Sequence, residues 1–505
     1  NYQNYMQNLG VYHKINLTNV PFLSHSSDER TLIGLAARTR GKIIADLKKL
    51  GFGKTERSII QALLLGDRRE IDQATFKSYK NAGAIHILAI SGLHVGIVLL
   101  MLQILLKPLE SLPGGRTIKL LIIVLLLWAF ALIAGFSASV VRAVTMFSFV
   151  AYALFLHRPG SSFNILALSM LFILLFIDPL FLFQLGFQLS YAAVFSILWF
   201  YPKLVRFWMP NHFLPRKAWQ LFSVGLAAQL GVLPLSLYYF HQFPGLFFIS
   251  NMVIVPFLGI ILGLGFVIVI MAVFTIIPDF LIFLYDSIIR MMNTTIDWIA
   301  HQEAFLFTNI YFDKGHLLLT GILIICIIYT TEKLKPARII AVLVCFVALQ
   351  LWSLSAFVLS RSKVEAGLLH SVGETVLFYR QGTHINVLTD HPEEAKKLLS
   401  RYMVSENIGS VSFDSLRNIY RLNEKKLMII DSPDVLVFPH SKPGIVLLTD
   451  SPAINLDRYL SKIKPEFVIA DGSNYKSYVK RWKRSCHKLG IPFHDTNIDG
   501  AIYLD

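Results

Sequence analysis

The stretch HILAISGLHVGIVLL, from His86 to Leu100, decides the fold class of this chain. It is apolar enough to enter a lipid bilayer, and it begins a series of similar apolar blocks. Of the 505 residues, 54% are hydrophobic and only 16% are charged, whereas a water-soluble protein of this length carries more charge. The composition therefore excludes a single soluble globule and predicts an α-helical polytopic membrane protein.

Most of the apolar blocks approach the roughly 20 residues that a helix needs to cross a bilayer. The block 246–273 is too long for one upright helix and contains Asn251 and Pro256, which is compatible with a broken or re-entrant pair of helices. We expect about ten crossings, at 87–106, 117–135, 137–156, 162–178, 182–200, 221–240, 246–273, 279–299, 315–331 and 339–358.

Lysine and arginine residues fall in the connections after the first, third, fifth and ninth crossings, and the connections after the second, fourth and sixth carry none. Cytoplasmic loops collect basic residues. We therefore expect a multi-pass protein of the plasma (inner) membrane with both soluble ends extracytoplasmic. The net charge of +15 fits this topological interpretation, and the alternative is an anionic passenger such as nucleic acid.

Composition divides the chain into four parts. Residues 1–25 are expected to be the end of a small soluble module whose preceding part is missing, and residues 26–85 to hold juxtamembrane amphipathic helices. The segment Arg30–Gly51 has apolar residues at helical spacing opposite a basic face, which suits a helix on the membrane surface or one packed on a domain. Residues 86–358 form the transmembrane domain. Residues 359–505 alternate strands with helices, which predicts a soluble α/β domain.

Polar side chains at membrane depth are functional candidates, because burying them in hydrocarbon is costly. Arg142 lies about one turn inside an apolar helix, where it either lines a hydrated path or snorkels to the outer headgroups. His94 either faces a polar interior or is a satisfied core histidine. The candidate channel-lining residues are Ser91, His94, Ser139, Arg142, Gln184, Gln188 and Gln229.

Small residues let neighbouring helices approach closely. Gly92 and Gly96 form such a pair, and we predict helix packing at Gly92, Gly96, Gly135 and Gly186. His86 and His94 would lie about 12 Å apart on one helix, so they cannot bind one metal ion together. His86 is expected at the headgroup level.

The tail lacks the residues of a metal-dependent hydrolase. Such a site needs several ligands converging on one ion, commonly as His-x-His-x-Asp-His, and the nearest string is HINVLTDH, from His384 to His391, with the wrong spacing. The three cysteines allow neither a disulfide framework nor a zinc ribbon. We therefore predict no metal, no cofactor and no catalytic residues, and we interpret the tail as a binding or scaffolding domain.

Several segments resemble the ComEC family, the inner-membrane channel for single-stranded DNA in natural transformation. They are LLLGDRREIDQATFKSYKNAGAIHILAISGLHVGIVLL, GFSASVVRAVTMF, DPLFLFQLGFQLSYAAVFSI and PLSLYYFHQFPGLFFISNMVIVP, and the resemblance extends over roughly residues 30–275. Residues 1–25 look like the last part of the family's OB-fold domain. The tail looks like its metallo-β-lactamase-like domain, which the missing histidine cluster marks as degenerate and without nuclease activity.

The resemblance implies a channel for uptake of single-stranded DNA across the plasma membrane. The implied partners are single-stranded DNA, the lipid bilayer, a DNA receptor or nuclease outside, and an ATPase or helicase inside, since nothing here resembles a phosphate-binding P-loop. Formation of a homo-oligomer stays open. The alternatives are a transporter or flippase for another anionic polymer or lipid, and an extracytoplasmic metal-dependent nuclease with unrecognised ligands.

Overall fold

The computed structural model describes residues 31–156, 162–274, 276–422, 425–433 and 443–504, with a few single residues before residue 31. The predicted end of an OB-fold domain, residues 1–25, lies almost entirely outside the described residues. The chain divides into two compact units, Asn1–Thr308 and Asn309–Asp505.

Three helices precede the apolar part of the first unit, at Leu32–Lys49 (α1), Lys54–Leu65 (α2) and Gln73–Asn81 (α3). The Thr31 side chain caps α1 by accepting a hydrogen bond from the Gly34 N–H at 3.0 Å. The buried face of α1 includes Ile43 and Leu47, while apolar residues near its start stay exposed. The helix thus packs against the protein with one face and retains an apolar surface of its own.

The apolar part of the first unit is built almost wholly from helices. Their bounds are Gly92–Leu105 (α4), Gly115–Ile133 (α5), Ala138–Phe155 (α6), Ser162–Phe172 (α7), Leu185–Phe207 (α8), Phe213–Phe240 (α9), Phe247–Val273 (α10) and Asp279–Ala300 (α11). A π-helical turn, Ile173–Ile177, extends α7. The two-residue strands Phe243–Pro244 (β1) and Leu306–Phe307 (β2) pair antiparallel.

The second unit begins with two long apolar helices, Lys314–Glu332 (α12) and Pro336–Ser362 (α13). Among the described residues, six helices are long and apolar enough to cross a membrane: α5, α6, α9, α10, α12 and α13. Every predicted crossing contains a helix, but α4 and α7 are shorter than a bilayer needs and α8 and α11 are more polar. A polytopic helical protein is confirmed, whereas the count of ten is not.

Two local predictions are wrong. The block 246–273 is one continuous helix, α10, with Pro256 inside it, rather than a broken or re-entrant pair. The first apolar block becomes helical only at Gly92, so His86 lies in a turn before α4 and the assumed helical spacing from His86 to His94 does not exist. Apolar periodicity cannot locate such a boundary, because the turn residues Ile87, Leu88 and Ile90 are as buried as the helix.

Polar contacts attach the short helices to the apolar ones. The Ser250 hydroxyl on α10 donates to the Ala82 carbonyl at 2.7 Å, and the Tyr79 hydroxyl donates to the Asn293 side chain on α11 at 2.8 Å. An apolar core made largely by α1, α2, α10 and α11 surrounds these contacts. Residues 31–82 are therefore part of the first unit's core and do not form a separate module.

The α/β part of the second unit contains ten strands among its described residues. They are Val364–Ser371 (β3), Glu374–Gln381 (β4), His384–Leu388 (β5), Ser410–Asp414 (β6), Ile419–Leu422 (β7), Lys425–Ile430 (β8), Ile445–Leu448 (β9), Phe467–Ala470 (β10), Phe493–Asp495 (β11) and Ile502–Tyr503 (β12). These described strands form two five-stranded sheets with the orders β12-β3-β4-β5-β6 and β11-β10-β9-β8-β7. Pairing is antiparallel except for the parallel pairs β5–β6, β8–β9, β9–β10 and β10–β11.

Helices cover the outer faces of both sheets. They are Pro392–Ser405 (α14), Leu456–Ile463 (α15) and Lys476–Lys488 (α16), and a short helix, Thr496–Asp499 (α17), follows β11. One apolar cluster joins the two sheets through residues such as Leu368 and Leu447, a second packs α15 and α16 on one sheet, and a third packs α14 on the other. The domain is therefore a four-layer α/β sandwich, which confirms the predicted α/β class.

Arg380 connects the second unit's apolar helix α13 to its sheets. The side chain is 0% exposed, and its Nη1 lies 2.7 Å from Glu406 and 3.4 Å from Glu365. Its Nη2 donates to the Ser360 hydroxyl on α13 at 2.9 Å, and its Nε donates to the Gly382 carbonyl at 2.9 Å. The guanidinium thus ties the last turn of α13 to β4 and to the end of α14.

We predict that Arg380→Met destabilises the soluble domain by about 3 kcal/mol, at the low end of the range for breaking a buried ion pair, because the two glutamates keep some contact with water. The measurement is the urea dependence of thiol labelling at Cys486, which is buried in this domain, in the purified full chain.

The matched control is Lys425→Met, which removes an exposed ion pair with Glu466 at 3.1 Å and should cost at most about 1 kcal/mol. Equal effects of the two substitutions would contradict the role assigned to Arg380.

Candidate functional site

Arg142 is a buried cation without a counter-charge. It lies on α6, one turn beyond the first residue of that helix, and is only 6% exposed. Its Nε has no hydrogen-bond partner, and the guanidinium forms no ion pair with any residue that the structure describes. A buried guanidinium left this way is costly, which makes Arg142 a candidate functional residue.

The first turn of α8 lies against the Arg142 guanidinium. A Cβ on Gly186 would lie 3.3 Å from its Nη2, so the absence of a side chain there leaves room for the guanidinium. Further along α8, the Tyr191 hydroxyl shares a 3.1 Å hydrogen bond with Ser169 on α7. Polar groups thus occur on all three of these neighbouring helices.

Other predicted lining residues lie on the same helix ends. Ser139, on the first turn of α6, has its hydroxyl 3.2 Å from that of Ser137. Gln184 is the N-cap residue of α8. The Gln188 amide donates to the Leu182 carbonyl at 3.1 Å. The structure therefore groups Ser139, Arg142, Gln184 and Gln188 around the N-terminal ends of α6 and α8.

Ser91 and His94 form a separate group at the start of α4. The Ser91 N–H donates to His94 Nδ1 at 3.3 Å, which places the proton of a neutral imidazole on Nε2. His94 is 1% exposed, and its Nε2 has no hydrogen-bond partner among the residues that the structure describes. Helix capping accounts for Ser91 and for one ring nitrogen, and the other nitrogen stays unsatisfied. Gln229 lies half-buried on α9.

Sequence reasoning missed several buried polar groups. Thr145, one turn beyond Arg142 on α6, and Ser223 on α9 are buried with hydroxyls that have no hydrogen-bond partner. Tyr191 and Ser169 were missed as well. Serine and threonine in apolar helices commonly bond to their own backbone, so the sequence carries no signal that marks these hydroxyls as unsatisfied.

The four predicted packing glycines have different surroundings. A Cβ on Gly96 would lie 2.9 Å from the tip of Phe147 on α6, and Gly186 lies against Arg142, so both are points of close approach. A Cβ on Gly92 would meet no atom within 4 Å, so close packing at Gly92 is wrong in this structure. Gly135 lies beyond the end of α5 with a φ of +83° and approaches Arg40, so it is a turn residue rather than a helix-packing one.

Acidic residues follow four strands at one edge of the soluble domain: Asp390 after β5, Asp431 after β8, Asp450 after β9 and Asp471 after β10. Burial raises the pKa of the Asp450 carboxyl, and the neighbouring Asp431 and Asp390 raise it further. Among the residues that the structure describes, no three His, Cys, Asp or Glu side chains are placed to share a metal ion.

The residues of the HINVLTDH string do not converge. The His384 ring lies 2.8 Å from the Ser410 hydroxyl and 3.1 Å from the Ser412 hydroxyl, both on β6. His391 is the residue before α14, and its N–H is hydrogen-bonded to Thr389. His384 therefore begins β5, whereas His391 lies beyond the end of that strand at Leu388.

Family comparisons agree with the resemblance read from the residues. The competence protein family matches residues 63–334, which is more than half of the chain and includes Ser91, Arg142 and Gly186. The chain belongs to the ComEC family of competence proteins. The ComEC C-terminal domain family matches residues 368–505, which contain both sheets.

Two named proteins are similar to parts of this ComEC-family chain. ComE operon protein 3 of Bacillus subtilis is 37% identical over 200 residues, which are 39% of this chain and 24% of that protein. Recombination protein 2 of Haemophilus influenzae is 29% identical over 232 residues, which are 44% of this chain and 29% of that protein. The matched regions thus span less than a third of either relative. No solved structure matches the chain significantly.

We predict that Gly96→Ala destabilises the ComEC-family chain by about 1–3 kcal/mol, because the added methyl group overlaps the Phe147 ring and forces the two helices or the ring to move. The measurement is the thermal unfolding midpoint of the purified protein in detergent.

Gly92→Ala, on the same helix, is the matched control and should stay within about 0.5 kcal/mol of the parent. The double variant Gly96→Ala with Phe147→Leu should recover part of the loss. A normal midpoint for Gly96→Ala alone would show that this approach is not tight.

We predict a pH-dependent contribution from Asp471, which accepts hydrogen bonds from Thr375, Ser473 and Asn474. Burial raises the pKa of Asp471 from 3.8 to about 6, so the folded domain binds a proton more tightly than the unfolded chain. The raised pKa stabilises the folded domain fully at pH values below 3.8. This stabilisation decreases as the pH rises to about 6 and is absent at higher pH.

Hydrogen exchange of the β3, β4 and β10 amides, corrected for the intrinsic effect of pH, measures this contribution. As the pH rises from 3.8 to about 6, the parent loses this contribution and Asp471→Asn does not. The free energy of unfolding of Asp471→Asn relative to that of the parent should therefore rise by roughly 3 kcal/mol, which corresponds to about two pKa units. Parallel pH profiles for the two proteins would contradict the assignment.

Proposed function

We propose that this chain forms a route for single-stranded DNA across the plasma membrane in natural transformation. The observation that carries the proposal is the match of residues 63–334 to the competence protein family. The apolar helices supply a scaffold that can sit in a membrane, and the polar groups at the ends of α6 and α8 lie within that matched part.

A strand of DNA needs a wet, polar passage, because each phosphate carries a charge that hydrocarbon does not solvate. The lining residues proposed for this passage are Ser91, His94, Ser139, Arg142, Gln184, Gln188 and Gln229. Arg142 supports the proposal most, because a buried cation without a counter-charge suits a polyanion that passes by. The net charge of +15 adds long-range attraction for the same ligand.

We propose that the soluble domain is a degenerate metallo-β-lactamase-like domain without enzymatic activity. Its four-layer arrangement of two mixed sheets between helices supports that type of fold. The sequence has no His-x-His-x-Asp-His string, and His384 begins β5 whereas His391 lies beyond the end of that strand. The domain would act by binding or by scaffolding.

The proposed topology places both soluble ends outside the plasma membrane and the basic connections in the cytoplasm, with about ten crossings. The sequence contains no P-loop, so an ATPase or helicase on the cytoplasmic side would supply energy. A DNA receptor or nuclease outside would deliver one strand. Assembly into a homo-oligomer is compatible with this arrangement.

We predict that deletion of the gene in a naturally competent host abolishes entry of labelled DNA into the cytoplasm, while DNA bound outside the plasma membrane remains at its normal level. A compartment-resolved count of labelled DNA measures both quantities. Complementation with the parent gene should restore entry. Normal entry in the deletion strain would overturn the proposal.

Two further results would favour the alternatives. A transporter or flippase would change the distribution of an anionic polymer or lipid and leave DNA entry normal. A nuclease would show bound zinc or manganese in the purified protein together with cleavage of DNA, and neither is expected here.

A further inference from the structure

We propose that the N-terminal ends of α6 and α8 form a binding site for a phosphate group, with Arg142 as its cation. This inference rests on the proposed function for the source of the phosphate, which would be the backbone of the passing single strand. It goes further than a lining role, because it assigns a ligand chemistry and a defined set of donors to one place in the first unit.

Arg142 carries a buried charge that no carboxylate among the described residues offsets. The side chain is 94% buried, as its 6% exposure requires, and the described residues supply no carboxylate to it. Removing a charge from water costs several kcal/mol unless another charge offsets it. A positive charge near a helix N-terminus is also disfavoured by the helix dipole, and Arg142 is only the fifth residue of α6. An anion bound beside the guanidinium would offset part of both costs.

The N-terminal ends of α6 and α8 are not capped by the side chains of their N-cap residues. The N-cap residues Ser137 of α6 and Gln184 of α8 make no side-chain capping hydrogen bond. The first N–H groups of each helix have no partner within the helix, and such groups bind anions well. The two helices are 18 and 23 residues long, so each has a full dipole directed at this place.

The Arg142 guanidinium and the N-terminal end of α8 lie close together. The guanidinium of Arg142 lies against the first turn of α8, where a Cβ on Gly186 would be 3.3 Å from Nη2 and 3.8 Å from Nη1. Glycine at this position therefore leaves room for the cation beside the first turn of α8. The hydroxyl of Ser137 is exposed beside the first turn of α6, so this end of the proposed site lies at the surface.

Phosphate suits these donors better than other anions. A guanidinium offers parallel N–H groups that match two phosphate oxygens, and backbone N–H groups at a helix end bind the remaining oxygens. A phosphodiester of DNA and the headgroup of a phospholipid share this chemistry. The proposed function favours DNA, and the experiment separates the two sources.

The test measures binding of a fluorescent oligothymidylate to the purified full chain in a neutral detergent, over a series of salt concentrations. Arg142→Gln should weaken binding about tenfold or more, the loss expected for a charge-assisted hydrogen bond. The slope of log affinity against log salt should fall by about 0.7, the value for one phosphate contact to a single strand. Arg142→Lys should keep the slope and lose part of the affinity.

Three controls make the test specific. Arg206→Gln removes an exposed arginine from the other end of α8 and should leave the affinity close to that of the parent. Gly186→Ala keeps every charge but displaces the guanidinium, so it should weaken binding without changing the salt slope. An oligomer with uncharged methylphosphonate links should bind the parent weakly and should bind Arg142→Gln equally weakly.

A second arm uses lipid nanodiscs with and without phosphatidylglycerol. If Arg142→Gln loses affinity for phosphatidylglycerol and not for the oligonucleotide, DNA is overturned as the source of the phosphate. Unchanged affinity for both probes overturns the site. If Arg142→Gln is not recovered as a folded protein, Arg142→Lys and Gly186→Ala decide the matter by the same measurements.

DNA entry in the host separates this inference from the proposed function. Loss of entry in the deletion strain together with normal entry and normal binding for Arg142→Gln would overturn the phosphate site alone. Normal entry in the deletion strain would overturn the proposed function, whatever the binding measurements show.

Discussion

Hydrocarbon cannot form hydrogen bonds, and most features of the first unit follow from that constraint. The backbone answers it by forming helices, which satisfy their own N–H and C=O groups along the apolar blocks. Side chains have to find partners elsewhere, as Ser250 and Tyr79 do by bonding across helices. Among the described residues, the buried polar atoms that stay unsatisfied include those of His94 on α4 and of Arg142 and Thr145 on α6, and further ones lie on other helices, such as Ser223 on α9. Each such atom costs free energy unless a partner satisfies it.

The two buried arginines show how the same residue type serves different purposes. Arg380 is fully buried and bonds to Glu406, Ser360 and Gly382, so its charge is offset inside the second unit and it fixes α13 to the sheets. Arg142 is nearly as buried and has no such partner. A satisfied buried charge fits a structural role, whereas an unsatisfied one requires another explanation, and a bound ligand is the one proposed here. This contrast supports the choice of Arg142 as the centre of the candidate site.

The sequence predicted the helices and strands better than it predicted the helix ends and the candidate site. Apolar blocks located a helix in every predicted crossing, although only six of the described helices are long and apolar enough to span a membrane, and strand patterns located the α/β domain, because both signals are local and repeat along the chain. Helix ends were less accessible: the buried turn before Gly92 has the composition of a helix, and Pro256 stays inside α10 despite its missing N–H. The candidate site was predicted in part. Arg142 stands out in an apolar block, but Thr145 and Tyr191 do not.

The sequence by itself determined the class of the molecule, the positions of its helices and its membership of the ComEC family, because composition, periodicity and ordered motifs are all written along the chain. Only the tertiary structure decided which polar groups have partners. It separated Gly96 and Gly186, which other side chains approach, from Gly92, which none approaches, and it placed Arg142 against the end of α8. Satisfaction of a buried group depends on atoms from distant parts of the chain, and the order of residues alone does not give those distances.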